Sequence, residues 1–176
     1  CNSAQSLFDT NVSGYLIEAP STMNELLLAQ DLLRRNTDKR FRRWVLSSLI
    51  GHTYYHNFVT HLREAWYQRE AMNIIERGGA VNAETLSGIF RKNLETFWGD
   101  AVELTEGCEL TWMRQPHYYM GLYSYTYSAG LTLATQAALN IAAEGESAVA
   151  RWRAMLEAGS TRGPLGLAKI AGIDLS

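Results

Sequence analysis

A helical segment near the start of the chain carries acidic and hydroxyl residues where apolar residues are expected. Apolar residues recur at helical spacing over residues 16–35, and Pro20 fits a first turn. Four polar residues in this segment follow the spacing i, i+3, i+4, i+7, which predicts one shared helix face: Glu18, Ser21, Thr22 and Glu25. A carboxylate in apolar surroundings needs a counter-charge, and a metal ion is one. Spacing alone leaves two interpretations: Glu18 is a metal ligand supported by Glu25, or the stripe is solvated and Ser21 caps the helix.

Helical patterns continue along the chain and predict an all-α fold of six or so helices. The apolar spacing predicts helices over about 39–76 with a bend near Gly51, 82–99, 117–143, 147–158 and a short one ending near 171. Asn82 is expected to cap the second of these, and glycines are expected to end most of them. Weak alternation permits a few residues of strand within 102–110.

Composition narrows the functional classes. A length of 176 residues fits a single domain over residues 1–176, and a formal net charge of -2 disfavours nucleic acid or an anionic membrane as the main partner. The two cysteines, Cys1 and Cys108, are too few for a disulfide framework, so a reducing, cytoplasmic location is expected. The sequence contains no apolar run of about 18 residues, so no membrane span is predicted.

Three histidines lie close together in the long predicted helix. His52 and His56 are four residues apart, with His61 further on, and such a pair can bind zinc from one helix face. In a helical zinc peptidase motif a glutamate follows the first histidine as general base, but here that position is Thr53. We therefore favour the interpretation that these are core or interface histidines.

A tyrosine-rich segment is the other candidate for chemistry. Five tyrosines occur within ten residues: Tyr118, Tyr119, Tyr123, Tyr125 and Tyr127. On one continuous helix, Tyr119 and Tyr123 would share a face, and His117 would lie at the start of the helix. Tyrosine hydroxyls can line a cleft, donate to a peptide carbonyl and stabilise an oxyanion. Aromatic core packing is the alternative that the pattern leaves open.

In this order, the two segments resemble the last part of oligoendopeptidase F, a zinc peptidase related to thimet oligopeptidase. The resemblance rests on residues 18–25 and 116–127, and residues 67–70, 81–86 and 97–100 support it. It implies that the chain is the all-α, multi-helix C-terminal portion of a zincin-type catalytic domain. The implied function is a zinc-dependent metalloendopeptidase that hydrolyses short oligopeptides.

The resemblance also implies roles for the acidic residues. In that family two histidines and a general-base glutamate come from a His-Glu-x-x-His helix, and a Glu-x-x-Ser motif on a second helix supplies the third zinc ligand. Residues 18–21 match the second motif. Glu18 is therefore the implied zinc ligand, and Glu25 and Ser21 would support it by hydrogen bonding without touching the metal themselves.

The same resemblance implies substrate-binding residues. The family has a histidine and tyrosines that hold the substrate backbone and the oxyanion. His117 matches the histidine, and Tyr125 fits best among the tyrosines, with Tyr119 and Tyr123 close behind.

The His-Glu-x-x-His motif does not occur in these 176 residues. By the family's spacing it would lie upstream of Cys1, so the chain is expected to be inactive alone. Its expected partners are the missing N-terminal part of the same enzyme and peptide substrates, and a homo-oligomer is possible because a face is left uncovered. The alternative is a non-catalytic helical interaction module with a tyrosine-lined groove.

Overall fold

The computed structural model describes residues 5–175, and every regular element in that range is helical, which confirms the all-α prediction. The α-helices are α1 Ala19–Arg35, α2 Lys39–Ser48, α3 His61–Glu76, α4 Ala83–Trp98, α5 Tyr125–Glu144, α6 Glu146–Ala158 and α7 Pro164–Ile170. Short 3₁₀ helices cover Leu7–Asp9, Gly14–Leu16, Cys108–Met113 and Pro116–Tyr119, and π-helical turns cover Leu49–Tyr54 and His56–Thr60. No helix within residues 5–175 combines the length and the apolar character needed to cross a membrane.

Contacts between Cα atoms separate the chain into two compact units. The terminal unit consists of Cys1–Phe58 and Thr126–Ser176, and the central unit is Val59–Tyr125. The assignment of residues 1–176 to one catalytic domain stays a prediction.

An apolar core, made mostly of small and medium aliphatic side chains, holds the terminal unit together. Leu131, Leu133 and Ala134 of α5 are fully buried, as are Ala19 of α1 and Ala168 of α7. They pack with residues of α1, α6 and the C-terminal segment: Leu16, Met23, Leu26, Ala137, Ala138, Trp152, Met155, Leu167, Ala171 and Ile173. Small residues on α5 allow close helix contact there.

Helix α1 begins three residues later than the apolar spacing predicts. Leu16 belongs to the preceding 3₁₀ turn, Glu18 is the residue before the first helical residue, and Pro20 lies in the first turn as expected. Thr22 keeps the predicted i, i+4 spacing from Glu18, since its amide donates to the Glu18 carbonyl at 3.2 Å, but it is not part of a solvated stripe. Thr22 is 3% exposed and lies on the buried side with Met23, because that side is drawn into the core by its apolar neighbours.

The long predicted helix over 39–76 is helical along its length, with π-helical turns around the predicted bend at Gly51. A π turn places one extra residue in the helical repeat. The predicted end is confirmed, because Gly78 follows α3 with a left-handed φ of 79°.

An aromatic cluster holds α3 against α4 in the central unit. The Tyr67 ring meets Phe90 and Tyr118 edge to face at centroid distances of 5.2 and 5.0 Å. The predicted cap of α4 is confirmed, since the Asn82 side chain accepts a hydrogen bond from the Thr85 amide at 2.8 Å.

The strand permitted over 102–110 is not present, and the 3₁₀ helix Cys108–Met113 occupies its end instead. Gly107 takes a left-handed φ of 85°, which turns the chain out of an extended path. The Arg91 guanidinium donates to the carbonyls of Leu104 and Thr105 at 3.3 and 3.5 Å, so side-chain bonds replace a strand ladder here.

The helix predicted over 117–143 is wrong in its first part. The chain makes a 3₁₀ turn over Pro116–Tyr119, and α5 begins only at Tyr125. Gly121 has a φ of 67°, outside the right-handed helical region, so the helix cannot run through it. Tyr119 and Tyr123 therefore do not share a face of one helix.

The C-terminal predictions are confirmed within a residue or two. Gly145, with a φ of 64°, separates α5 from α6, and Gly159, with a φ of 56°, ends α6. Pro164 starts α7 in its first turn.

Candidate active site

The Glu18 carboxylate is half-buried at the N-terminal end of α1 and is oriented by its own helix. The Ser21 hydroxyl lies 2.9 Å from the Glu18 carbonyl oxygen and 3.2 Å from Glu18 Oε2, and it donates toward both. The partial positive charge at a helix N-terminus favours a carboxylate at this place. The Ser21 hydroxyl therefore orients the Glu18 carboxylate.

The backbone of Glu18 is held by a close approach from α5. A Cβ built on Gly130 would lie 2.8 Å from the Glu18 carbonyl carbon and 2.8 Å from the Ala19 nitrogen. Only glycine leaves room for this approach, so the end of α1 that carries Glu18 is packed directly onto α5.

Glu25 lies two turns further along α1 and is exposed. Its Oε2 accepts a hydrogen bond of 2.6 Å from the hydroxyl of Thr53, which is buried in the π turn Leu49–Tyr54. The structure thus brings Glu18 together with Ser21, and Glu25 together with Thr53.

The three neighbouring histidines differ in their surroundings. His61 is 2% exposed and its Nδ1 lies 2.6 Å from Glu64 Oε2, so it is a satisfied core histidine, as we interpreted it. His52 and His56 are exposed. Within residues 5–175 no group of three or more His, Cys, Asp or Glu side chains is arranged to hold a metal ion.

His117 is half-buried in the 3₁₀ turn Pro116–Tyr119, and its ring is held on three sides. The Gln115 amide nitrogen lies 2.8 Å from His117 Nδ1. Because that nitrogen can only donate, Nδ1 accepts and the proton of the neutral ring resides on Nε2. The ring stacks on Tyr123 at 5.6 Å with an interplanar angle of 5°, and meets the His61 ring edge-on at 5.8 Å.

The predicted substrate-binding tyrosines lie in different settings. Tyr119 is 67% exposed, and its hydroxyl donates to the Trp112 carbonyl at 3.2 Å. Tyr125, the first residue of α5, lines a surface pocket of about 410 Å³. The other residues that line this pocket are Leu62, Ala65, Trp66, Arg69 and Leu122.

Two further tyrosines belong to the interior of the central unit. Burial, and then the nearby Glu64 carboxylate, raise the pKa of Tyr118 well above its ordinary value. Burial, and then Tyr119, raise the pKa of Tyr67 to about 12. Aromatic core packing is therefore the right description for Tyr118, one of the five clustered tyrosines.

Two glutamines next to His117 were missed from the sequence. Gln68 of α3 is 3% exposed and bonds to the backbone of the segment that follows Pro116, and Gln115 fixes the His117 tautomer. In the sequence, Gln68 stands beside the charged pair Arg69-Glu70, a pattern that predicts a solvent-exposed position on a helix. The sequence signal that could have indicated them was Gly121. A glycine that interrupts a helix leaves neighbouring backbone N–H and C=O groups without helical hydrogen bonds, and side chains must then supply the partners.

Comparisons with known proteins agree with the sequence-based resemblance. Oligopeptidase PepF of Bacillus subtilis is 28% identical over 166 residues, which cover 94% of this chain and 25% of the relative. An oligoendopeptidase F homologue of Borreliella burgdorferi is 26% identical over 94% of this chain and 28% of its own length. No protein-family model matches.

Solved structures give the same result. The crystal structure of oligoendopeptidase-F from Enterococcus faecium superimposes with a TM-score of 0.77 at 29% identity, covering 91% of this chain and 30% of that one. Over nearly its whole length, this chain is similar to the last part of proteins described as oligoendopeptidase F. The fold also matches a structure described as a putative peptidase from Chlamydophila abortus, with a TM-score of 0.79.

The chain spans about a quarter of the length of the curated relatives it matches.

Proposed function

We propose that this chain supplies one zinc ligand and part of the substrate cleft of a zinc-dependent metalloendopeptidase that hydrolyses short peptides. The observation that carries the proposal is the homology to proteins named oligoendopeptidase F over 94% of the chain. The local geometry supports it, because the carboxylate in the Glu-x-x-Ser segment is oriented by its own serine.

Glu18 is the residue proposed to hold zinc. A carboxylate oxygen is a suitable zinc donor, and this one is half-exposed, fixed by Ser21 and placed at a backbone position locked by Gly130. A catalytic zinc site has three protein ligands, and within residues 5–175 no group of three His, Cys, Asp or Glu side chains could form one. We therefore propose that the other two ligands and the general base come from residues outside this chain. When bound, zinc polarises the scissile carbonyl and lowers the pKa of a bound water to about 7.

His117 and the tyrosines are proposed to bind the peptide. With Nδ1 accepting from Gln115, the neutral imidazole presents Nε2–H as a hydrogen-bond donor. Such a donor is suited to a substrate carbonyl or to a developing oxyanion. Tyr125 and Tyr123 are the proposed hydroxyl donors of the same segment. The Tyr119 hydroxyl donates to the Trp112 carbonyl, so Tyr119 is proposed to meet the peptide through its exposed ring.

The decisive experiment uses the full-length protein that contains this chain. Glu18→Gln should lower both the zinc content and the hydrolysis of a quenched fluorescent peptide to background. Ser21→Ala should weaken zinc affinity by about 10- to 100-fold, since it removes only a supporting hydrogen bond. The matched control is Glu84→Gln, which changes an exposed carboxylate in the first turn of α4. Unchanged zinc content and activity in Glu18→Gln would overturn the proposed role of Glu18. A full-length wild-type protein that neither binds zinc nor cleaves the peptide would leave the non-catalytic interaction module.

A second experiment tests the proposed dependence on the rest of the enzyme. The 1–176 chain alone, supplied with zinc, should not cleave the peptide, and it should self-associate or bind the N-terminal part. Robust turnover, or a compact monomer at high concentration in size-exclusion chromatography, would contradict this.

A further inference from the structure

One buried side chain holds the segment that carries the proposed substrate-binding residues. Gln68 is 3% exposed, and its Nε2 donates to the carbonyl of His117 at 2.8 Å and to the carbonyl of Gly121. Its Oε1 accepts from the amide of Ser124 at 3.3 Å. The two donor hydrogens and the acceptor oxygen of the Gln68 side-chain amide are thus all hydrogen-bonded to backbone groups within residues 117–124.

These contacts replace the hydrogen bonds that a continuous helix would have made. Gly121 breaks the helical path, so the backbone on either side of it needs partners from elsewhere. Ser124 is fully buried, and its amide precedes α5 directly. An amide side chain is the one uncharged group that supplies two donors and an acceptor from a single site.

The segment held in this way carries the candidate groups themselves. His117 lies at one end, Tyr123 stacks on it from the other, and Tyr125 follows Ser124 in sequence. A shift of either end of the segment would move the imidazole relative to the tyrosine hydroxyls.

We propose that Gln68 is a positioning residue, which fixes residues 117–124 so that His117, Tyr123 and Tyr125 meet a peptide substrate in one geometry. This inference rests on the proposed function. The three hydrogen bonds of the Gln68 side chain all go to backbone groups, so it acts through these three side chains.

Two substitutions in the full-length protein separate the contacts. Gln68→Glu keeps an acceptor for the Ser124 amide but places a carboxylate oxygen against two carbonyls. Gln68→Met keeps the approximate size and removes all three hydrogen bonds. The matched control is Gln30→Met, because Gln30 of α1 also donates to a backbone carbonyl, that of Ala138 at 3.4 Å, within the terminal unit.

Peptide hydrolysis is measured per active site, after titration with a tight-binding inhibitor, so that unfolded molecules are not counted. Both Gln68 variants should lose about 10- to 100-fold in kcat/KM with unchanged zinc content, because small misplacements of binding groups have effects of this size. Gln30→Met should keep the wild-type value. As the pH falls, the ratio of Gln68→Glu to wild type should rise, since a protonated carboxyl regains one donor, whereas the ratio for Gln68→Met should stay constant.

Hydrogen exchange of residues 115–125 gives a readout that does not need activity. Exchange in this segment should be faster in Gln68→Met and unchanged in Gln30→Met. Unchanged exchange in Gln68→Met overturns the holding role, and faster exchange with wild-type kcat/KM overturns the positioning role. A wild-type protein without peptidase activity overturns the proposed function and this inference with it, while the exchange data still report whether Gln68 holds the segment.

Discussion

The two compact units have interiors of different chemistry. The core of the terminal unit is aliphatic, and its helices touch through alanine and glycine. The central unit has a smaller apolar core around Tyr67 and Phe90. Both units bury polar side chains, but those of different chemistry: the terminal unit buries mainly hydroxyls, at Thr22, Thr53, Thr126 and Ser128, with Asn57, whereas the central unit buries His61, Glu64, Gln68, Asn93 and Ser124. The cost of altering apolar packing scales with the volume removed, whereas the cost of altering a buried polar group depends on whether its partner is left without a hydrogen bond.

This difference separates the two sets of candidate residues. Glu18 sits on a helix end that is fixed by the close contact with Gly130. His117 sits on a segment fixed by side-chain amides, from Gln68 on its backbone and Gln115 on its ring. We therefore expect the proposed zinc ligand to respond to changes in packing volume, and the proposed substrate-binding residues to respond to changes in hydrogen-bonding groups.

The largest expected effect is a cavity in the aliphatic core. Leu131→Ala removes a fully buried side chain of α5 and should lower the free energy of unfolding by about 2–5 kcal/mol. Urea unfolding of the 1–176 chain measures it. Leu139→Ala, on the same helix but 56% exposed, should change stability by no more than about 0.5 kcal/mol. Equal losses in the free energy of unfolding for the two variants would mean that the buried side of α5 contributes no more to stability than its exposed side.

A second prediction concerns the helix contact at Glu18. Gly130→Ala places a methyl group against backbone atoms that cannot move aside, and should cost about 1–3 kcal/mol. In the full-length protein it should also lower zinc affinity. Gly88→Ala in α4 meets nothing within 4 Å, so it should stabilise the chain by about 0.5–1 kcal/mol. If both substitutions stabilise, α5 does not hold Glu18 as described.

A third prediction addresses the polar interior of the central unit. Asn93 accepts from Arg63 Nε and donates to the Arg63 carbonyl, both at 2.9 Å. Asn93→Leu removes both of these hydrogen bonds and should cost about 1–2 kcal/mol despite the added apolar surface. Asn140→Leu is the control, because the hydrogen bond that the Asn140 side chain makes within residues 5–175 is with the exposed Gln136. A stabilising Asn93→Leu would show that the buried amide is dispensable.

The sequence predicted the parts of the fold that follow from local rules. Glycine stops such as Gly78, the Asn82 cap and the first-turn proline Pro20 all lie where the pattern placed them. The boundary of α5 was missed, because tyrosines at helical spacing look the same whether or not Gly121 takes a left-handed conformation.

For the candidate site, the sequence indicated which residues carry chemistry but not how they are held. Ser21 acts within one helical turn, so its contact with Glu18 follows from the i, i+3 spacing. Gln68 reaches residues about 50 positions away in sequence, His117 among them, and no local pattern encodes such a contact. Hydrogen bonds between buried side chains and distant backbone groups, such as those of Gln68, can therefore be identified only from the tertiary structure.

The smallest expected effect is a change of stability at alkaline pH. Burial raises the pKa of Tyr67 to about 12 and that of Tyr118 further still, so the folded chain keeps protons that the unfolded chain releases above about pH 10. The free energy of unfolding should therefore be unaffected below about pH 10 and should fall as the pH rises toward 12. Tyrosinate absorbance should show two of the nine tyrosines titrating late, and Tyr67→Phe should remove one of them. A single transition of all nine tyrosines near pH 10 would mean that the central unit does not exclude water from the Tyr67 and Tyr118 hydroxyls. Burial of ionisable groups would then no longer distinguish the interior of the central unit.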